Sequence, residues 1–243
     1  VLFRSIGTGP APQPPAAPAP IQVKAEKVGE VVWFLGPAAP ASTLVEFNDY
    51  VVLIEGPGSD EKTMSTLAEV KRMFPNKPVK YLINTHHHSD HSGGIRAFVA
   101  EGIPIITHES HKKYYETEIF KAAHTLSPDR LARNPKPLVL ETLKDKRVIS
   151  DGKMSLEIHL LKDNLHAEGL LVVYIPSEKL IVQADAFHPR PGAPPLPAPS
   201  PLTINFVDNV RRRNLDVQRV LHVHGGVDSY ETVLKAAGRS GTN

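Results

Sequence analysis

The sequence predicts an α/β fold in one large domain, and three observations support this. Apolar runs of strand length recur along the chain, and segments with the apolar spacing of amphipathic helices lie between them. Histidine or aspartate follows directly after several of the runs. With 243 residues, of which 41% are hydrophobic, the chain is long enough to bury a sizeable core without a second domain.

The elements follow from apolar periodicity, taken in chain order. Strands are predicted at 31–35, 43–47, 50–54, 79–84, 104–107, 170–176, 180–184 and 220–223. Helices are predicted at 61–74, from Ile95 onward, and at 109–125, 202–213 and 229–237. The first three strands are separated by short turns, one of them at Asn48 and Asp49, so we expect a meander.

The N-terminal residues have a different composition. Residues 1–20 are rich in proline and alanine, which predicts an extended or disordered linker, followed by a single domain over 21–243. Such a tract is typical of the segment between an export signal and a folded domain, although the chain shows no charged and apolar signal segment and does not begin with Met. We therefore expect a periplasmic or secreted protein with its true start missing, and a cytoplasmic one as the alternative.

A cluster of metal-binding residue types follows the predicted strand 79–84. Imidazole and carboxylate are ligands that zinc and related metals prefer. Side chains alternate along an extended run, so His86 and His88 are expected to face one point, with Asp90 and His91 turned toward a second point nearby. The spacing therefore predicts a site for two metals at the carboxyl end of a strand, where α/β folds carry their sites.

The H-x-H-x-D-H order of these four residues resembles the signature of the metallo-β-lactamase superfamily. The resemblance implies an αββα sandwich, in which two mixed sheets are flanked by helices. It also implies three later ligands, each next to a strand, and His166, Asp185 and His224 occur in that order. His222 competes with His224 for the last role, because alternate strand positions face the same way; the Gly-Gly pair after His224 favours His224.

Carried over to this chain, the resemblance implies two divalent ions, zinc first, with iron or manganese as alternatives. His86, His88 and His166 would bind the first metal, Asp90, His91 and His224 the second, and Asp185 would bridge them. A metal-bridging hydroxide would be the nucleophile. Asp90 would also orient the water and shuttle its proton, which gives it a catalytic role.

The bond that is cleaved is a separate question. The chain has no cysteine, and so lacks the thiolate ligand of the cysteine-using metallo-β-lactamases. A bridging aspartate resembles instead the glyoxalase II, lactonase and phosphodiesterase branches. Hydrolysis of an ester, lactone or thioester is therefore the leading expectation. The alternatives are β-lactam cleavage, phosphodiester cleavage, and a metal-binding protein without catalysis.

The expected partner is a small-molecule substrate. A net charge of +2 does not indicate a nucleic-acid surface, and no segment is apolar enough to predict a membrane span. The oligomeric state is left open. The residues predicted to contact substrate lie on the segment after strand 104–107 and on the Pro-rich loop after Asp185, and they are Tyr114, Tyr115, Phe187, His188 and Leu196.

Overall fold

The computed structural model describes residues 21–36, 40–124, 128–189, 192 and 198–239. Within these ranges the chain forms two mixed β-sheets packed face to face, with helices on both outer faces. The predicted αββα sandwich is thereby confirmed. The Pro/Ala tract 1–20 lies outside the described residues, so the predicted domain boundary stays a prediction.

The first sheet follows the order of the chain. Its strands are β1 (Lys24–Lys27), β2 (Val32–Gly36), β3 (Ser42–Glu46), β4 (Val51–Ile54), β5 (Val79–Ile83), β6 (Ile105–His108) and β7 (Leu140–Leu143). Strands β1 to β4 pair antiparallel, whereas β4 to β7 pair parallel. The carboxyl ends of β4, β5 and β6 therefore share one edge.

The second sheet has the spatial order β13-β12-β11-β10-β9-β8. Its strands are β8 (Lys146–Ser150), β9 (Ser155–Leu160), β10 (Leu171–Ile175), β11 (Leu180–Gln183), β12 (Arg219–His222) and β13 (Val227–Ser229). Strands β11 and β12 are parallel, and β10 runs antiparallel to β11. The beginning of β10 and the ends of β11 and β12 therefore meet at one edge.

The helices cover the two outer faces. They are α1 (Asp60–Met73), α2 (Ser89–Ser92), α3 (Ile95–Ala100), α4 (Lys112–Tyr114), α5 (Arg130–Arg133), α6 (Pro201–Arg212) and α7 (Tyr230–Ala236). The Ser59 side chain accepts a hydrogen bond from Lys62 N and so caps the start of α1. None of the helices in the described ranges is long and apolar enough to cross a membrane.

Alternation along the strands divides the apolar residues between layers. In β4, Val52 and Ile54 lie in the core between the sheets, whereas Val51 and Leu53 pack outward with residues of α1 and α3. A third cluster packs α6 and α7 against the outer face of the second sheet. Apolar burial on both faces holds the strands in register, so the loops at the strand ends are carried on a rigid frame.

The eight predicted strands lie within one or two residues of observed ones, and the helices predicted at 61–74, 202–213 and 229–237 are present. The prediction of one continuous α-helix at 109–125 is wrong. The segment comprises a 3₁₀ turn (Glu109–His111), α4 and a π-helical turn (Tyr115–Ile119), where Phe120 N donates to Tyr115 O at 2.9 Å. Residues 125–127 lie outside the described part of the chain.

Candidate metal centre

The candidate ligands lie at the edge where the strand ends of both sheets meet. His86 follows β5, Asp185 follows β11 and His224 follows β12, while His166 precedes β10. A backbone hydrogen bond from Leu171 N to Thr85 O, 3.0 Å long, joins the two sheets beside this group. The topology therefore brings residues from distant parts of the sequence to one place.

The loop after β5 turns its histidines in two directions. The rings of His86 and His88 are 4.6 Å apart and point into the group, whereas the His87 ring packs against His111 and Tyr114. The Ser92 hydroxyl donates to His87 O and His88 O, which fixes the turn into α2. At Gly93 a Cβ would lie 2.2 Å from Gly58 O, so only glycine fits this close approach.

The first group of ligand atoms surrounds His86 Nε2. This atom lies 3.1 Å from His88 Nδ1, 3.2 Å from His166 Nε2 and 3.2 Å from Asp185 Oδ2. Asp185 Oδ2 also lies 3.0 Å from His166 Nε2. Three imidazole nitrogens and one carboxylate oxygen thus share a small volume.

The second group surrounds His91 Nε2. It lies 3.1 Å from His224 Nε2, 3.3 Å from Asp90 Oδ2 and 2.9 Å from Asp185 Oδ2. The other oxygen of Asp185 lies 3.0 Å from His224 Nε2. Asp185 therefore lies between the two groups and contacts both.

These donor sets fit divalent cations. Ligand atoms at about 2.0–2.1 Å from a tetrahedral zinc are about 3.3 Å from one another, close to the separations within each group. Several ring nitrogens lie close together in each group, and hydrogen bonds between them cannot satisfy all of their lone pairs. A cation at the centre of the group accepts a lone pair from every nitrogen. Imidazole and carboxylate ligands also suit iron and manganese, so the donor set does not select one metal.

The electrostatics of the groups favour a cation. Burial lowers the pKa of His88, His166 and His224, which keeps their ring lone pairs available at neutral pH. Burial raises the pKa of Asp185, but hydrogen bonds from His86 and His91 outweigh it and hold that pKa well below its usual range. The bridging position therefore carries a negative charge.

Glu55, which the sequence reasoning missed, lies directly behind the second group. It is fully buried at the end of β4, and it accepts hydrogen bonds from Asn84 Nδ2 at 2.9 Å and Thr85 N at 3.3 Å. Its Oε2 lies 3.6 Å from His91 Nδ1, on the side of the ring away from Asp185. Burial alone would lower the pKa of His91, but the carboxylates of Glu55 and Asp185 raise it to about 10.

Glu55 can therefore orient His91 and add negative charge next to the site. A buried carboxylate here also forms a third potential ligand group with His86 and His91, but its contact to the Nδ1 side of His91 favours the orienting role. The available sequence signal is a glutamate that directly follows an apolar run, and this run is the predicted strand that precedes the histidine-bearing strand in the chain. Its backbone φ of 70° is unusual for a non-glycine residue.

The residues predicted to contact substrate have different environments. Tyr114 is 40% exposed beside His87, and His188 Nε2 lies 3.6 Å from Asp185 Oδ1 on the exposed side. Phe187 is mostly buried, with its ring against His222. Leu196 lies outside the described residues.

The prediction for Tyr115 is wrong. Its side chain is fully buried among the residues between the first sheet and its helices, and its hydroxyl donates to Asn84 Oδ1. It also lies 3.3 Å from His86 O. Tyr115 therefore supports the histidine loop from behind and has no surface for substrate.

The structure separates the two histidines that competed for the last ligand role. His224 contacts His91 and Asp185, whereas His222 is buried with Nδ1 2.7 Å from Gln183 Nε2 and Nε2 3.2 Å from Asp228 Oδ2. His222 thus faces away from the ligand groups.

Comparison with known proteins gives the family and the fold. A model of the metallo-beta-lactamase superfamily matches residues 35–236. The structure is similar to a metallo-beta-lactamase from Pontibacter korlensis, with 20% identity over 89% of this chain and 98% of that chain and a TM-score of 0.66. It is also similar to VMB-1, with 16% identity over 89% of this chain and 95% of that chain and a TM-score of 0.66.

One relative is similar over a short region. An alkyl/aryl-sulfatase, BDS1 of Saccharomyces cerevisiae, is 37% identical over 59 residues, which is 24% of this chain and only 9% of the sulfatase. The match to the family model covers most of the chain and includes every candidate ligand. The chain therefore belongs to the metallo-beta-lactamase superfamily, whose members are generally metal-dependent hydrolases.

Proposed function

We propose that this protein is a dinuclear metal-dependent hydrolase of uncharged esters, lactones or thioesters. The observation that carries the proposal is the convergence of imidazoles from His86, His91, His166 and His224 on the single carboxylate of Asp185. A binding scaffold without catalysis has no need of two adjacent ligand groups that share one carboxylate.

Bound divalent cations supply a nucleophile by lowering the pKa of water, and they polarise a carbonyl oxygen. The chain's residues perform the remaining tasks. Asp90 is half-exposed, and its Oδ2 lies 3.3 Å from His91 Nε2, so it can accept a proton from an attacking water at the open side of the site. Asp185 and Glu55 balance the positive charge from within.

The charged residues that flank the candidate ligands in the sequence support an uncharged substrate. Within three sequence positions of any of the seven candidate ligands there is no lysine or arginine, whereas Asp163, Glu168 and the ligand carboxylates are present. Anionic substrates are usually held by arginine or lysine, since these side chains pair with carboxylate, phosphate or sulfate. Arg190, on the loop after Asp185, lies outside the described residues and is therefore tested directly below.

The exposed apolar residues support a substrate with an apolar part. Tyr114 contacts His87, Leu165 precedes the candidate ligand His166, and Val227 follows the Gly-Gly turn after His224. Their exposed fractions are 40%, 74% and 38%. Large apolar side chains exposed beside a polar site are typical of a surface that binds a ligand.

Three other reactions are alternatives that the same experiment tests. One solved relative is named a metallo-beta-lactamase, but identities of 20% or less support the fold and not that activity. The short similarity to an alkyl/aryl-sulfatase makes sulfate esters one alternative, and the resemblance of Asp185 to the bridging aspartate of the phosphodiesterase branch makes phosphodiesters another. All three substrate types usually carry a negative charge.

The test combines metal content with matched substrates. Metal per chain is measured by elemental mass spectrometry, and hydrolysis is measured on a neutral nitrophenyl ester, the same ester with a carboxylate on its acyl chain, a neutral lactone, a β-lactam, a phosphodiester and an aryl sulfate. Wild type, Asp185→Ala and Arg190→Leu are compared. We expect two metals per wild-type chain, faster turnover of the neutral ester or lactone than of any anion, and loss of metal and activity in Asp185→Ala.

Two results would contradict the proposal. Faster turnover of an anionic substrate that depends on Arg190 would assign the reaction to one of the alternatives. No turnover of any substrate would contradict the hydrolase; two metals per chain would then favour a metal-binding protein without catalysis, whereas fewer than one after reconstitution would count against the metal site itself.

A further inference from the structure

Two of the loops at the strand ends of the second sheet carry the candidate ligands His166 and Asp185. Each of these loops is held by hydrogen bonds that involve a buried histidine, and neither histidine is itself a candidate ligand. The loop before β10 carries His166, and the loop after β11 carries Asp185. His111 contacts the first of these loops, and His222 contacts the second through Gln183. Neither histidine touches a ligand atom in the two groups described above.

His111 joins the first sheet to the His166 loop. It is 3% exposed and follows β6, and its Nε2 lies 2.7 Å from Glu168 O, two residues after His166. A carbonyl oxygen only accepts, so the proton is on Nε2, and Nδ1 accepts from the Thr107 hydroxyl at 3.0 Å. Both ring nitrogens are therefore satisfied, and the ring has one orientation.

The same loop packs closely against this segment at one further point. Gly169 has φ 77°, and a Cβ there would lie 2.6 Å from His108 Nδ1 and 2.4 Å from Ser110 Oγ. The loop backbone at Gly169 thus packs directly against the side chains of His108 and Ser110, which leave no room for a Cβ. A shift of His111 would be transmitted to the backbone that carries His166.

Gln183 organises the Asp185 loop from within. Its Oε1 accepts from Ala186 N at 2.9 Å and Phe187 N at 3.1 Å, and its Nε2 donates to Phe187 O at 2.7 Å. The second Nε2 hydrogen points to His222 Nδ1 at 2.7 Å. Every polar atom of the Gln183 side chain is used, and the loop closes around it.

We propose that His111 and the Gln183–His222 pair are positioning residues for metal binding, His111 for the first position alone and the Gln183–His222 pair for both positions. His111 acts only on the loop of His166, which belongs to the first group. Gln183 acts on the loop of Asp185, which contacts both groups. Loss of His111 should therefore weaken one position, and loss of Gln183 should weaken both. The inference rests on the proposed metal site, but not on the identity of the substrate.

The test measures metal binding directly. Metal-free wild type, His111→Leu, His111→Gln, Gln183→Leu and Gln183→Glu are titrated with zinc in competition with a chromogenic chelator, and cobalt spectra report the geometry of the filled positions. Val210 is buried where α6 packs against the outer face of the second sheet. Val210→Ala therefore serves as a control for a general loss of folding stability. In His111→Leu we expect one of two affinities to fall about 10- to 100-fold while the other is unchanged.

The conservative variants separate positioning from general loss of packing. Glutamine at position 111 can still donate to Glu168 O and accept from Thr107, so His111→Gln should recover most of the affinity. Gln183→Leu should lower both affinities by about 10-fold or more. Gln183→Glu keeps the acceptor for two backbone amides and should lie between Gln183→Leu and wild type.

Affinities in His111→Leu and Gln183→Leu that match those of Val210→Ala would overturn the inference, as would equal losses at both positions in His111→Leu. The two proposals fail in different ways. A wild type that binds two metals but hydrolyses none of the substrates refutes the hydrolase and leaves this inference standing. A wild type that hydrolyses esters, with variants of unchanged affinity, refutes this inference alone.

Discussion

Acid should destabilise the metal-free protein in part through His111. Burial lowers the pKa of His111 to about 4, although its hydrogen bond to Glu168 O opposes this, and the nearby rings of His87 and His108 lower it further. In the unfolded chain the pKa is about 6.5. As the pH falls from 6.5 toward 4, the unfolded state takes up a proton that the folded state does not, so stability is lost in that window.

The magnitude follows from the two pKa values. Between pH 7 and pH 5 the difference amounts to about 2 kcal/mol, because the loss approaches 1.36 kcal/mol per pH unit once the pH is below 6.5. With a urea dependence of about 2 kcal/mol per molar, this is a shift of about 1 M in the unfolding midpoint. Well above pH 6.5 both states are unprotonated at this position, and the dependence disappears.

The assay is urea unfolding of metal-free wild type and His111→Gln at pH 7 and pH 5. Other buried histidines, such as His159 and His222, have lowered pKa values and destabilise both proteins in acid. The quantity of interest is therefore the difference between the two pH-dependent losses. Any stability that is lost because glutamine forms weaker hydrogen bonds than His111 is the same at both pH values, so it cancels in this comparison. An equal loss in wild type and His111→Gln would mean that His111 does not contribute to the acid sensitivity.

Three further predictions concern packing, a buried ion pair and metal. Gly93→Ala should lower the free energy of unfolding by about 2 kcal/mol, because its Cβ meets Gly58 O, and an unchanged melting temperature would contradict that close approach. Arg96→Leu should lower the free energy of unfolding in urea by about 3 kcal/mol, because the carbonyl of Ile119 and the carboxylate of Asp129 lose their Arg96 donor, although Asp129 keeps Ala132 N and His124 as partners. Chelation should lower the melting temperature measured by calorimetry, since metal at 100 times its dissociation constant adds about 2.7 kcal/mol of stability; no change would count against a folded-state site.

Apolar runs predicted most of the strands, the spacing of His86, His88, Asp90 and His91 predicted a metal site after β5, and the family resemblance implied the remaining ligands. Strands such as β4 and β10 are buried on both faces, so their sequences are continuously apolar and visible without a structure. Strands β8 and β9 were missed because they mix charged and apolar residues in short runs; β8 pairs with β9, and β9 pairs in turn with β10. Such runs acquire strand structure from their neighbours.

The errors near the site also have a physical cause. Successive residues on a helical turn point about 100° apart, so Tyr114 is exposed while Tyr115 is buried, and apolar periodicity does not tell which of two adjacent tyrosines faces the core. Glu55 was overlooked because its role depends on β4 and β5 being parallel neighbours, a pairing that the sequence of either strand does not reveal. Neighbours in a sheet are tertiary information.

The spread of the candidate ligands along the chain has a consequence for assembly. The histidines after β5 are followed by the His166 loop, then Asp185, and only after β12 by His224. A chain that ends before residue 224 holds every member of the first group but lacks a member of the second. The second ligand group is therefore complete only when almost the whole domain has been made and folded, so metal bound there would report that folding is complete.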